Sequence, residues 1–411
     1  MINNKIVILH VFIDGMHFHK AADIYDSLPN VENLYFFYAP SKNFEFSKIK
    51  DSRVKFIYNF KEYLSYFSNP DIDVILFQSL PYHYYYLFDY IDDSKFVVWW
   101  MWGYDIYNGQ GEFPALIPEM ELYKPLTKQF REQLMEKTKL SLTAQIERKI
   151  SWLIRLPLRV VVKLLRKHKN TPQVIKARKT QDEILARIDA SYAPLDADFF
   201  RIKESHTCFH AEKFPNPIIE MDIPIVLKKN AGNILINHSL TYTVNHLDVF
   251  QVLRRTQICE GRKFIVPVSY GIYGYNGNPE ILERASRMDP EKMIWLTKIL
   301  PFEEYKSLLG TVTHAVFGML RQQGMWNVNL CLRTGVKIYL FKDSIVYREL
   351  KERGYVCFSI EDDLTTESLS SCLSENDTRH NYYTFMKRCQ EHSLQNCINF
   401  LENRIAMKKN P

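Results

Sequence analysis

Over residues 1–120, short apolar runs alternate with polar stretches of helical period. Lys5 to Ile13 reads as a strand and His19 to Leu28 as a helix. Further strands are predicted at Asn33 to Tyr38, Val54 to Tyr58, Val74 to Gln78 and Phe96 to Trp102. The runs are continuous rather than alternating, which predicts a parallel sheet covered on both faces. From Leu122 to Ile188 the pattern turns to long, charged helical periodicity. Ala190 to Ala193 reads as a closing strand, followed by a loop rich in Pro, Phe and Asp.

The alternation then restarts. Strands are predicted at Asn233 to Asn237, Phe264 to Val268, Met293 to Leu296, Thr313 to Gly318 and Lys337 to Phe341. Helices fall between them at Asn245 to Arg255, Pro279 to Arg287, Phe302 to Leu309 and Asn327 to Thr334. Two α/β halves of similar size imply two doubly wound Rossmann-type domains facing each other across a cleft. The expected boundaries are 1–200 for the first domain with a basic helical insert at 122–188, 201–230 for a linker, and 231–375 for the second. A terminal helical segment, 376–411, is expected to pack back on the junction. Ligands in such sheets bind at the carboxyl ends of the strands, beside helix N-termini that favour anions.

Composition narrows the class. With 46% hydrophobic and 24% charged residues among 411, the chain is neither disordered nor fibrous. Its seven cysteines all follow residue 207 and form no C-x-x-C pair, which argues against a disulfide framework or a zinc ribbon. No apolar run is long enough to span a bilayer, and the opening run reads as a buried strand rather than a signal peptide. The net charge of +6 conceals an asymmetry: Lys124 to Lys179 holds 16 Lys/Arg against three acids. The remainder is mildly acidic, so a general nucleic-acid binder is excluded and polyanion attraction is local.

Within the insert, Arg155, Arg159, Lys163 and Lys167 recur every fourth residue and so share one helix face, with Trp152 at the head of an apolar stretch. Such a helix suits the surface of an anionic membrane. Arg321-Gln322-Gln323-Gly324 follows a predicted strand and leads into a helix containing Asn327, a plausible cradle for a diphosphate. His238, Ser239, Thr241, Thr243, Asn245 and His246 follow another strand; phosphate binding and simple capping by Thr243 both fit. In the first half, Trp99 to Tyr107 places Asp105 among aromatics, including Trp102 and Tyr107, beside Gly103, as carbohydrate sites do. Asp14, His17 and His19 follow the first strand, where a general base is possible. The two Asp-x-Asp triplets, ending at Asp73 and Asp198, and His206-x-Cys208-x-His210 are not read as metal sites, and no cofactor is expected.

Several of these segments together resemble glycosyltransferase family 56, the enterobacterial enzymes that move N-acetylfucosamine from a TDP-sugar to a lipid-linked disaccharide in common-antigen synthesis. The resemblance rests on Val7 to Val11 with His10, Trp102-Gly103 with Asp105 and Tyr107, and Ile234-Leu235 with Ser239 and His246. It continues through Val266-Pro267 with the Tyr-rich loop of Tyr270, then Phe302-x-x-Tyr305 to Arg321-Gln322-Gln323-Gly324 and Cys331-Leu332. Trp326 and Thr241-Tyr242 depart from the family pattern. The resemblance implies a GT-B fold, an N-terminal acceptor domain using His10, Trp102, Gly103 and Tyr107, and a C-terminal nucleotide-sugar domain. It also implies no metal and peripheral attachment to the inner membrane. Asp105, Asp14 and His19 remain alternatives for the base; an epimerase on the same fold, or a scaffold for membrane and glycan partners, remains the rival reading.

Overall fold

The computed structural model describes residues 5–15, 18–109, 113–118, 121–139, 177–218, 224–258, 260–271 and 274–409. The chain forms two compact units. The first comprises Met1–Met120, Pro172–Asp222 and Met386–Pro411; the second comprises Glu121–Thr171 and Ile223–Phe385. Trp152, Arg155, Arg159, Lys163, Lys167 and His17 lie outside the described residues.

The first unit contains strands β1 (Ile6–Val11), β2 (Val31–Leu34), β3 (Phe36–Tyr38), β4 (Lys55–Ile57), β5 (Val74–Phe77), β6 (Phe96–Trp100), β7 (Ala190–Tyr192) and β8 (Glu212–Lys213). Six form one parallel sheet in the order β2-β1-β5-β6-β7-β8, while β3 and β4 pair separately. The predicted strand at Asn33 to Tyr38 is therefore two strands, broken at Tyr35. Its ring is buried against His10, and its hydroxyl donates to the Ala22 carbonyl at 3.2 Å and Asp26 at 3.0 Å. A side chain held by the helix Phe18–Asp26 turns the backbone out of the sheet.

The second unit contributes β9 (Asn233–Ile236), β10 (Phe264–Pro267), β11 (Met293–Leu296), β12 (Val312–Phe317), β13 (Lys337–Leu340) and β14 (Phe358–Ser359). Their order is β11-β10-β9-β12-β13-β14, all parallel. Counted within the sheet this is 3-2-1-4-5-6, the dinucleotide-fold order, which reverses between β9 and β12. All six residues of β12 are buried, as the continuous apolar run requires. In the first unit the order reverses between β1 and β5.

Three sequence expectations are corrected. The Pro-, Phe- and Asp-rich stretch after β7 is a helix, Asp196–Ser205, whose acids occupy its first turn and whose Phe199 and Ile202 face the core; acids there oppose the helix dipole favourably. The terminal helix is two, Glu375–Glu391 and Leu394–Lys409. The break comes where His392 is held by Asn216 and Ile218 and Ser393 accepts from the Asn396 amide. Third, the helix Pro125–Lys139 that opens the insert packs on the second unit. Asp248 accepts the Leu126 and Thr127 amides, both at 2.9 Å, filling orphan donors of the helix N-terminus.

The helix Leu394–Lys409 completes the first unit. Cys397, Ile398, Leu401 and Ile405 join the cluster of Ile8, Val74, Phe96 and Phe214. Lys408 and Lys409 reach Asp189 and Asp73, whose carboxylates also accept the Val97 and Val7 amides. Asp73 thus serves a strand end. Leu401→Ala should cost about 2–5 kcal/mol. Its unfolding transition should move to lower denaturant in the first unit alone, read by hydrogen exchange of β5 against β12.

Candidate active site

In the first unit the strand ends at the order reversal are tied by Gln78. Its amide donates to His10 Nδ1 at 3.2 Å, and its carbonyl accepts from Trp102 Nε1 at 2.5 Å. His10 is enclosed, its other nitrogen bonded to Asn33 Oδ1 at 2.9 Å and its ring stacked on Tyr35. Burial pulls its pKa down to about 4, against the Asn33 bond and the Asp26 charge. A neutral His10, committed at both nitrogens, orders the end of β1.

Asp105 stands in the third position of the helix Gly103–Tyr107. Its Oδ2 accepts from the Trp102 amide at 3.2 Å, the Leu80 amide at 3.3 Å and Trp99 Nε1 at 3.4 Å. Only 5% of the residue is exposed. Burial dominates these bonds and raises its pKa to about 7, where a carboxyl exchanges protons near neutrality. Tyr104 lies beside it, Trp102 stacks on Trp100, and Gly103 is buried in the same turn. The Tyr107 hydroxyl donates to the buried Asp198, so this second Asp-x-Asp residue holds a helix.

Asp14 is engaged differently. It accepts from Ser47 N at 2.7 Å, Ser47 Oγ at 2.6 Å, Lys48 N at 2.9 Å and Ile49 N at 3.0 Å. Burial would raise its pKa, but the Ser47 hydroxyl and the three amides outweigh it and hold the carboxyl below the usual range. His19 pairs with Asp51 at 2.9 Å. Asp51 is itself held far down by Arg53 first of all.

In the second unit the loops after β9 and β12 meet at the order reversal. Gln323 joins them: its Nε2 donates to Thr241 Oγ1 at 2.9 Å and its Oε1 accepts from Thr243 Oγ1 at 2.8 Å. Ser239 and Thr241 hydroxyls lie 3.1 Å apart in the same network. Thr243 is therefore a cross-link and not a helix cap; the helix His246–Leu253 begins after Asn245, whose φ is 51°. Asn245 Nδ2 donates to the Gly318 carbonyl at 2.8 Å, and Asn237 Oδ1 accepts the Gly318 amide at 2.8 Å.

Arg321 and Gln322 are buried in the loop, 8% and 5% exposed. Gly324 has φ of 61°, and a Cβ there would sit 2.4 Å from His238 Nδ1, so both the backbone and the packed ring require glycine. It precedes the helix Met325–Arg333, whose first turn carries no side-chain cap and no acid. Tyr305 donates to Asn327 Oδ1 at 2.9 Å and stacks on Trp326, tying the helix Phe302–Gly310 to this loop. Burial, then Arg321, lowers His238 to about 4; burial, then His238, lowers His246 to about 3. Tyr270 is half exposed, and its carbonyl accepts the Leu240 amide at 2.7 Å.

Sequence reasoning missed Gln78, Asn237 and Tyr275. Tyr275 is fully buried at φ of 52°, against Tyr242 and His246. A polar residue ending an apolar run was the available signal for Gln78 and Asn237; Tyr275 lay in the Tyr-rich loop after Val266-Pro267 but was not singled out.

Two doubly wound parallel units make a GT-B-like fold. Solved structures of low sequence identity agree along almost the whole chain. HepE of Anabaena, solved with UDP and glucose, has a TM-score of 0.57 at 9% identity, covering 98% of this chain and 99% of that one. The trehalose 6-phosphate synthase of Burkholderia multivorans gives 0.53 at 10% identity, covering 98% of each. No curated protein matches by sequence. Residues 192–388 match the family described as 4-alpha-L-fucosyltransferase, glycosyl transferase group 56. That stretch carries the group 56 signature, and the protein is a glycosyltransferase.

Asp105 binds its proton more tightly folded than unfolded. The stability it contributes is full below about pH 4 and is lost as pH rises through about 7. Asp105→Asn should therefore be more stable than the parent at pH 8, on the order of a few kcal/mol, with the gap closing toward pH 4. Paired thermal melts across that range measure it.

Proposed function

We propose that this glycosyltransferase moves a deoxyamino sugar of the N-acetylfucosamine type from a TDP- or UDP-sugar to a polyprenyl-diphosphate-linked glycan, in the synthesis of a surface polysaccharide. The observation that carries the reading is the cross-linked pair of loops at the order reversal of the second sheet, with Arg321 buried beside the uncapped helix Met325–Arg333. Sugar transfer from a nucleotide donor releases a diphosphate. A buried guanidinium and helix N-terminal amides stabilise that charge without reorganisation. Gln323 keeps the cradle in shape, Gly324 lets the chain turn into the helix, and Ser239, His246, Tyr270, Gln322 and Asn327 surround the donor. The group 56 description and the UDP bound by HepE support the donor class.

The acceptor falls to the first unit. Asp105, poised near neutrality, takes the proton of the acceptor hydroxyl; Asp14, with a lowered pKa and four donors, is a weaker base. Trp102 presents an aromatic face to the glycan, with Gly103 and Tyr107 shaping its turn. The cationic stripe of Arg155, Arg159, Lys163 and Lys167, headed by Trp152, brings the protein to the cytoplasmic face of an anionic inner membrane where such an acceptor resides. Among the described residues no helix is long and apolar enough to cross a membrane.

Incubation with labelled TDP- and UDP-sugars and a bacterial lipid extract tests the reaction. Label should appear in the lipid fraction; isomerised donor with no transfer would replace this reading by an epimerase. Arg321→Ala should weaken binding of the nucleoside diphosphate by about 1.5–3 kcal/mol in calorimetry. Asp105→Asn should leave that affinity intact and lower turnover ~10²–10⁴-fold. Replacing the four stripe cations by Gln should reduce partitioning onto anionic vesicles about a thousandfold at low salt.

A further inference from the structure

His238, in the loop after β9, carries a buried ring nitrogen, Nδ1, with no hydrogen-bond partner. An unpaired buried polar atom costs stability, and one reason to keep it is a ligand that completes it. The ring packs against Gly324: a Cβ on that residue would come within 2.4 Å of Nδ1 and 2.6 Å of Cγ and Cε1. Gly324 precedes the nine-residue helix Met325–Arg333, whose N-terminus has neither a capping side chain nor an acid in its first turn. The orphan nitrogen therefore stands at a helix end that attracts anions.

Two ionisable groups act on this ring. Arg321 does so from the loop after β12, and His246 from the start of the helix His246–Leu253. His246 is fully buried, with both of its own nitrogens unpartnered. By themselves, burial, Arg321 and the positive helix end all oppose a charge on His238. The first two, in that order, bring its pKa down to about 4. A diphosphate in the cradle reverses two of the three. It neutralises Arg321 and the helix end, and its remaining negative charge favours an imidazolium. Burial then works for the pair, because a charge-assisted bond is stronger out of water.

We propose that His238 is a further donor-binding residue, which takes up a proton as the diphosphate enters and donates it in a hydrogen bond from Nδ1 to a phosphate oxygen. This rests on the reading of Arg321 to Gly324 as the diphosphate site. The proton comes from solvent and returns there when the diphosphate leaves. His238 thus supplies a second cation only while an anion is present to share it. The sign follows from the two states: without the anion His238 is neutral above about pH 4, and with it the ring stays charged to a higher pH. Between those values binding takes up one proton, and affinity falls about tenfold for each unit that pH rises.

Calorimetric titration with TDP and UDP, in buffers of different ionisation enthalpy at about pH 6, 7 and 8, reads the proton directly. The parent is compared with His238→Gln, whose amide still donates a hydrogen bond but does not titrate. At the acid end the parent should take up about one proton more per nucleotide than the variant. The terminal phosphate's own ionisation is common to both and cancels. The parent's affinity should also fall, relative to the variant's, by up to about tenfold per pH unit. Equal uptake in the two, with nucleotide bound by both, would overturn the role of His238 and leave the cradle standing. Uptake lost in His246→Gln but kept in His238→Gln would give the proton to the neighbouring ring and overturn the proposal as well. Should Arg321→Ala bind TDP and UDP as the parent does, the cradle reading fails, and this inference with it. Thermal melts matching the parent check that His238→Gln is folded. Carbon NMR of the histidine-labelled parent needs no variant: on adding TDP, one imidazole midpoint should climb from the acid range to neutrality or above. Midpoints that all stay in place would overturn the proposal.

Discussion

The peptide groups of Gly318 are the point on which the second unit turns. The residue follows the last residue of β12 at the order reversal. Asn237 accepts its amide and Asn245 donates to its carbonyl. Both asparagines adopt left-handed backbone, at φ of 57° and 51°, a region where asparagine is among the few residues tolerated. A Cβ on Gly318 would lie 2.3 Å from the Val244 carbonyl. The closeness of the two loops, and with it the Gln323 cross-link and the seat of Arg321, follows from this small residue and its two side-chain partners. Asn245 also accepts the Lys124 amide at 2.8 Å, so the root of the basic insert is fastened to the same point.

Burial sets the protonation of both units, in opposite senses for acids and bases. It holds His10, His238 and His246 neutral at physiological pH, and it brings Asp105 to the edge of ionisation. A neutral His238 can pack on Gly324 without placing a second cation beside Arg321. Among the described residues, the carboxyl raised to near neutrality, Asp105, stands at a strand end of the first unit. The strand-end carboxylate with many donors, Asp14, is an organiser of the loop at Ser47 to Ile49.

At about a tenth identity to the solved neighbours, what is shared is the fold. The parallel sheets demand buried runs wherever they occur, so the architecture tolerates nearly complete replacement of residues. The loops at the order reversals are under no such uniform demand. They carry what is particular to this chain: the hydroxyl–amide network around Gln323, the Tyr305–Asn327 bond with Trp326 stacked on it, and the Gln78 bridge between His10 and Trp102.

The chain's own sequence determined the two α/β halves and nearly every strand, and it singled out the loop from Arg321 to Gly324 at a strand end. Continuous apolar runs and a glycine before a helix are local signals, legible without neighbours. Tertiary structure decided the rest, because the deciding forces act between distant residues. Tyr35 breaks a strand through contacts with His10 and Asp26. Asp196 to Ser205 becomes a helix because Phe199 and Ile202 find a core and Asp198 finds Tyr107. The insert's first helix joins the second unit because Asp248 caps it from 121 residues away. Asp14 and Asp105 look equivalent in the sequence, each a carboxylate after a buried strand. Only the fold encloses Asp105, where burial outweighs its hydrogen bonds and lowers its acidity, and leaves Asp14 partly exposed, where four hydrogen bonds outweigh burial and raise it.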